Sequence, residues 1–357
     1  MSITATLLCQ QLSNLPDLLP LLANLQSTPK SLSDRLGRLS DLCTYEQSVV
    51  SDSARHLAFY CATAHASLTD AFILTQRNAA LRRIETSSNP AAALYLAQHA
   101  SASRWISVGI SHLTTSRQHL ATPAVLAHPN ASGWTLQGTV PWVTASADSQ
   151  ALVVGACDPT NPELQSLFYL PTNDARIHRG AGMDLLALKD SCTDEVFLDR
   201  VCVVPEQLLH GPVRHVMAVS QSGGAGGLQT SALALGLAAR AIDHILVQSN
   251  HRSSLGRFAD NFKQRWDTLS GRLYQATQTG QRTVDTAELR KDSNDLVLRA
   301  TQAALAIEKG AGFIAGSDVA RWAQEALFFL VWSCPQSIAE AHLCDLTQFN
   351  SHPSDAY

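Results

Sequence analysis

Apolar residues recur at helical spacing over the first third of the chain, at strand spacing over the middle, and again at helical spacing towards the end. Residues 1 to about 105 predict a set of helices. Pro16 and Pro20 break up the Leu-rich opening, and Ser31 or Ser33 caps a following helix. Asp52 or Ser53 caps the next one, which runs on through His56, Phe59, Tyr60 and Thr63. Thr69 begins another, and Asn89-Pro90 reads as an N-cap with proline at the first helical position. Small residues one turn apart, such as Ala58, Ala62 and Ala66, favour close helix packing.

Around Trp105 the texture changes. Residues 106 to 212 hold short β-rich runs at 151–155, 167–170, 195–198 and 201–204, punctuated by Pro, Asn, Asp and Gly. Strands spaced this way without intervening helices predict a small antiparallel barrel or sandwich. Beyond the glycines around Ala225, four apolar seams predict longer helices. They run through Leu228, Ala232, Leu235, Ala239, Ile242 and Leu246; through Phe258, Phe262, Trp266, Leu269 and Leu273; through Leu296, Ala300, Ala303 and Ile307; and through Val319, Trp322, Ala326 and Phe329. Ser317 caps the fourth, which stops before Pro335; a short fifth helix and a frayed tail from Gln348 follow. The fold class is α+β, mostly α. An N-terminal helical domain (1–105) precedes a middle antiparallel β-barrel or sandwich (106–212) and a C-terminal helical bundle (213–357).

The most informative stretch is residues 132–146, which predicts a hairpin. Gly133 opens a strand carrying Trp134 and Leu136, and Gln137-Gly138 supplies the turn. Val140, Trp142 and Thr144 alternate onto one face of the returning strand, placing the indole and the hydroxyl side by side, roughly 7 Å apart. Pro141 confines that strand to an edge or a bulge. Such an edge could receive a flat heteroaromatic ring, although a plain hairpin with core tryptophans has the same spacing.

This stretch resembles the middle-domain signature of the acyl-CoA dehydrogenase superfamily, a glycine and aromatic strand followed by Trp-(Ile/Val)-(Thr/Ser). The resemblance implies that Trp142 packs on a flavin ring and that Thr144 hydrogen-bonds near its reactive nitrogen. Ser191 to Pro205 is similar to the family's closing strand of that domain. Arg252-Ser-Ser-Leu-Gly256 resembles its R-x-x-Phe-G, whose arginine reaches the FAD pyrophosphate of a neighbouring subunit. A helix-end arginine beside a carbonyl is the plain alternative. Gly310-Ala-Gly312 resembles a glycine turn where backbone approaches the cofactor, with Lys309 in place of its first glycine. Ile110-Ser111-His112 lies where the family has a Thr/Ser before a flavin-wrapping loop; Ser111 keeps the hydroxyl, but Leu113 to His119 lacks the loop's glycine and Ser-Asp pair. The order helices, β domain, helical bundle is also that family's.

The family's proton-abstracting glutamate is not found. One of its positions is Ser333 here and the other is Gly226; Glu325 and Glu340 are near the first in sequence, but neither matches it. The catalytic residues are therefore unassigned. The resemblance implies an FAD oxidoreductase, with FMN the alternative, acting on an acyl thioester or similar small substrate. A flavin-dependent monooxygenase of the same fold, or a non-catalytic relative, stands beside it. The first would need an electron-transfer partner and the second a flavin reductase, and the Arg252 role implies a homodimer or homotetramer.

Composition limits the partners. The net charge of −4 is a poor match to a nucleic acid. The first 29 residues contain no Lys or Arg, and no apolar run of about 20 residues stands out, so a cytoplasmic protein with no membrane partner is expected. Eight cysteines with no C-x-x-C predict reduced, buried thiols, and 13 scattered histidines give no metal-ligand spacing.

Overall fold

The computed structural model describes residues 7, 12–13, 15, 17–26, 29–101, 103–114, 122–219, 226–278, 284–332 and 336–347. Helices α1 (Leu18–Ala23), α2 (Leu32–Val49), α3 (Ser53–Ala66), α4 (Leu68–Glu85) and α5 (Ala92–Gln98) come first. Eight strands follow: β1 (Ile106–Gly109), β2 (Val125–Asn130), β3 (Gly133–Val143), β4 (Ala151–Cys157), β5 (Leu164–Pro171), β6 (Ile177–Arg179), β7 (Asp194–Val203) and β8 (Leu208–Arg214). Then come α6 (Val216–Val219), α7 (Gly226–Ser249), α8 (Gly256–Gln278), α9 (Thr286–Gly312), α10 (Asp318–Leu327) and α11 (Gln336–Thr347). The α+β, mostly α order read from the sequence is the order observed. Two compact units result: residues 27–47 with 69–224, built on the sheet, and residues 1–26, 48–68 and 225–357, built from helices.

In the sheet unit the strand order is β6-β7-β3-β2-β4-β5-β8, with β1 on β4. Most pairs are antiparallel, but β1 and β2 both run parallel to β4. Every residue of β4 is buried. Leu152, Val154 and Ala156 enter one apolar cluster with Leu136, Val140 and Phe168. Ala151, Val153 and Cys157 enter another, where Ala80 and Ile84 of α4 and Tyr95 of α5 cover the sheet. A strand covered on both faces needs an unbroken apolar run, and Ala-Leu-Val-Val-Gly-Ala-Cys supplies it.

The predicted hairpin is placed differently. Gln137-Gly138 is not a turn, because β3 runs unbroken from Gly133 to Val143. The turn lies between Asn130 and Gly133, which pair across β2 and β3. There the Asn130 side chain accepts from the Ser132 amide at 2.9 Å, an Asx-type bond that closes the chain on itself. Gly138 serves a close approach instead. Its φ is +133°, and a Cβ there would lie 2.1 Å from the Ala124 carbonyl oxygen. The alternation of Val140, Trp142 and Thr144 also fails. The register against β7 shifts between Val140 and Val143, so Val140 and Val143 both enter the core and Trp142 faces out. Pro141 sits in that irregularity, as a residue without an amide donor should.

In the helical unit the caps follow the chemistry. The Asp52 carboxylate accepts from the amides of Ala54 and Arg55, and Ser317 accepts from Ala320. Helix α7 is the centre. Residues 228–249 are long and apolar enough to cross a membrane, but 78% of the most apolar window is buried inside the protein, against α3, α8 and α9. Gly236 lets α3 approach closely, since a Cβ there would lie 2.3 Å from the Cys61 carbonyl oxygen. Phe258, read as part of the second seam, is exposed, and the buried face of α8 runs through Ala259, Trp266, Leu269, Leu273 and Ala276. The thiols are less uniform than expected. Cys43, Cys61 and Cys157 are buried, Cys192 and Cys344 are half-buried and Cys202 is exposed; Cys9 and Cys334 lie outside the described residues.

Candidate functional site

The sheet unit carries three of the candidate residues on neighbouring stretches. The end of β1 presses on β3, since a Cβ on Gly109 would meet Val140 Cγ1 at 2.5 Å and Val143 Cγ2 at 3.0 Å. The chain then makes a single 3₁₀ turn, Ser111–Leu113. This turn is seated on β4 because Gly155 has no side chain: a Cβ there would lie 2.4 Å from Leu113 Cδ1. His112 Nε2 bonds the Gly155 carbonyl oxygen at 2.9 Å. Ser111 is thereby fixed with its Oγ buried and with no hydrogen-bond partner among the described residues. Ser107 Oγ and Ser146 Oγ of the same unit are also buried with no partner among the described residues, and each such hydroxyl is costly unless a polar group meets it. The loop residues 115–119, where the sequence lacks a glycine and a Ser-Asp pair, lie outside the described residues.

Trp142 is 44% exposed, an indole left open beside a packed core. Thr144, just past the end of β3, is its opposite. It is buried, and its Oγ1 lies 3.0 Å from Thr193 Oγ1, which in turn lies 2.8 Å from Ser191 Oγ. The corner holding them is pinned from outside. Arg179 Nη1 donates to the carbonyls of Ser146, Ala147 and Ser149 at 2.8, 2.8 and 2.9 Å. Sequence reading missed Arg179 and Thr193 because neither stands in a motif; they act on backbone and on a hydroxyl far along the chain.

The helical unit brings the remaining three candidates to one place. Arg252 follows α7, and its Nη1 donates to the Ile307 carbonyl at 3.0 Å while its Nη2 donates to Gln248 Oε1 at 2.9 Å. Ile307 lies near the end of α9, whose helical path breaks at Lys309 with φ 53° and ψ −139°. That combination belongs to glycine, so lysine holds it under strain at the position where the resemblance has glycine. Beyond it Gly310 faces open space, whereas a Cβ on Gly312 would meet Glu308 Cβ at 2.8 Å and Val319 Cγ2 at 3.0 Å. Gly312 is required by packing. Beside the kink, His244 Nε2 and Glu308 Oε1 are 2.8 Å apart.

Ser333 lies outside the described residues, and Gly226 is the first residue of α7. Glu325 is buried on the core side of α10, and Glu340 is exposed on α11.

The sequence matches no protein-family model and no curated protein. Solved structures do match. Butyryl-CoA dehydrogenase from Megasphaera elsdenii is similar with a TM-score of 0.74 and 17% identity, over 87% of this chain and 90% of that one. An acyl-CoA dehydrogenase complexed with FAD from Bacillus anthracis gives a TM-score of 0.76 and 14% identity, over 100% of this chain and 71% of that one. The chain has the acyl-CoA dehydrogenase fold. Dibenzothiophene monooxygenase from Paenibacillus sp. A11-2 is similar too, with a TM-score of 0.70 and 13% identity, over 95% of this chain and 98% of that one. The acyl-CoA dehydrogenase fold thus carries at least two chemistries among these neighbours, and the reaction has to be argued from side chains.

Proposed function

We propose that the chain is a flavin-dependent oxidoreductase of the acyl-CoA dehydrogenase type, with FAD as cofactor, acting on an acyl thioester or a similar small substrate. The open indole of Trp142 carries this reading: an exposed tryptophan on β3, in the same unit as a buried hydroxyl at Ser111 that has no partner among the described residues. The four polar and aromatic groups fit a flavin unequally. Trp142 offers an apolar face to stack on. Ser111 Oγ gains the hydrogen bond it lacks. Thr144 already shares a bond with Thr193, but a hydroxyl both donates and accepts, so one further bond remains to it. Arg252 has two donors engaged, and a guanidinium has five. When bound, the flavin supplies the electron-accepting chemistry. The chain's own part is to hold the ring at Trp142 and to satisfy it with Ser111 and Thr144, while Arg252 meets the phosphate of a neighbouring subunit's cofactor. FMN is the alternative cofactor, since Trp142, Ser111 and Thr144 address the ring that FAD and FMN share.

A second reading is a flavin monooxygenase of this fold. Its support is specific. Neither position where the family has its proton-abstracting glutamate is acidic, being Ser333 and Gly226, and a solved monooxygenase shares the fold. The first reading calls for an electron-transfer partner and the second for a flavin reductase, and Arg252 serving a neighbour's cofactor calls for a homo-oligomer.

The test is the visible spectrum of freshly purified protein, with the cofactor released and identified. Stoichiometric flavin supports both readings, and a colourless protein that takes up neither FAD nor FMN overturns them in favour of a non-catalytic relative. Anaerobic bleaching by an acyl-CoA panel then selects the dehydrogenase. Substrate-dependent oxygen uptake with a supplied reductase selects the monooxygenase.

A further inference from the structure

Helices α3, α7 and α8 line a half-open cavity of about 240 Å³ in the helical unit. On α3 the residues facing it are spaced by three and four, from Ala54 to Cys61, and on α8 the same spacing runs from Trp266 to Thr277. The space exists because Ala54 and Ala58 are too short to fill it, while Leu57, Leu235 and Leu273 wall it. Trp266 cannot swing in to close it, because its Nε1 donates to the Leu235 carbonyl at 2.9 Å and fixes the indole as a wall. None of the six residues assigned to the flavin lines this cavity.

Its charge is one-sided. Arg55 lines the cavity, and its guanidinium has no ion-pair or hydrogen-bond partner among the described residues. No Asp or Glu lines it. The nearest acid in sequence, Asp52, is engaged by the amides of Ala54 and Arg55 as the cap of α3. The hydroxyls of Ser270 and Thr277 donate to carbonyls of their own helix, at 3.0 and 2.7 Å, so their protons are engaged and the charge on Arg55 is what an anion would meet.

We infer that this cavity binds a small apolar molecule carrying one carboxylate, with its body among Leu57, Leu235, Leu273 and Trp266 and its carboxylate on Arg55. The apolar walls supply the driving force and the guanidinium fork supplies the selection for a planar anion. The volume is below the roughly 300 Å³ at which drug-sized sites begin, so the body is short. The site stands whether or not the chain uses flavin.

Calorimetric titration of the full chain with octanoate and with octan-1-ol tests it, in the absence and presence of FAD. Octanoate binds about tenfold more tightly than the alcohol, with or without FAD. Arg55→Gln abolishes that preference and leaves the alcohol's affinity unchanged. Ala58→Leu, which fills the space, weakens both by more than tenfold, and Ala54→Leu repeats the test should the first variant fail to fold. Equal binding of acid and alcohol overturns the inference, as does no binding of either. So does a preference that survives in Arg55→Gln, or octanoate affinity unchanged in a folded filling variant.

Discussion

In the sheet unit, Trp142 is an open indole and Ser111 keeps a buried hydroxyl with no partner; in the helical unit, Arg252 is tied to Ile307 and Gln248, and Gly312 is demanded by the neighbouring Val319. Both sets were picked out by motif. The first set has an open ring and a hydroxyl with no partner among the described residues, whereas Arg252 already has two of its five donors engaged and Gly312 is accounted for by packing. A residue that local structure already explains is weak support for a ligand, and a residue that local structure leaves unexplained is better support. The contrast also separates two tryptophans on one strand. Trp134 packs edge-on to Phe168 at 5.6 Å and borders the core cluster, while Trp142 borders nothing the core needs.

Those tryptophans give the largest test. Trp134→Ala should cost about 2–3 kcal/mol in denaturant unfolding, somewhat below the range for a fully enclosed ring. Trp142→Ala should cost under about 1 kcal/mol yet lose flavin on gel filtration. A large stability loss at Trp142 would make it structural and break the contrast.

The glycines come next. Gly312→Ala forces a methyl towards Glu308 and Val319 and should destabilise by about 1–3 kcal/mol, whereas Gly310→Ala, facing open space, should stay within about 0.5 kcal/mol. Equal effects would remove the packing account. Arg252→Gln should lower stability by about 1 kcal/mol through the lost Ile307 bond. If flavin retention falls with it while Gln248→Ala leaves retention intact, the arginine serves both purposes and the contrast narrows.

The smallest effect is on pH. Burial holds the His65 imidazole below its usual value in spite of Asp243 2.9 Å away, and burial does the same to His99, His210 and His342. The unfolded chain therefore takes up protons that the folded one refuses. The stability that these groups contribute is complete above the unfolded value near 6.5 and is lost as pH falls from there through the folded values. The melting temperature should drop between pH 7 and 5, and a flat profile would contradict the burial of these rings. Both units hold two such histidines, so this measurement sharpens nothing between them and serves as their common baseline.

The order of elements was legible because long apolar seams and buried strands leave periodic marks, and the Trp322 and Phe329 seam is buried as read. What failed was local. Gln137-Gly138 has the composition of a turn, but Gly138 is there to let β2 approach, and the turn belongs to Asn130, whose side chain closes it. The period-two reading of Val140, Trp142 and Thr144 broke at a bulge, which inserts a residue without any signal except Pro141. Trp142 is exposed nonetheless, by that bulge and not by simple alternation. Thr193, Arg179 and the cavity beside Arg55 were invisible because each depends on contacts between distant stretches.

Helix α3 is emitted early by a ribosome, and the groove it fits, against α7 at Gly236, is emitted only after the whole sheet has been made. The helical unit is thus assembled from pieces that wait for one another. A nascent chain halted before α7 presents the apolar surface of α3, which includes Phe59 and Tyr60, without its eventual cover, and becomes a substrate for holding chaperones. A shortened gene product ending in the sheet should accordingly be found aggregated or degraded, while the complete chain is recovered intact.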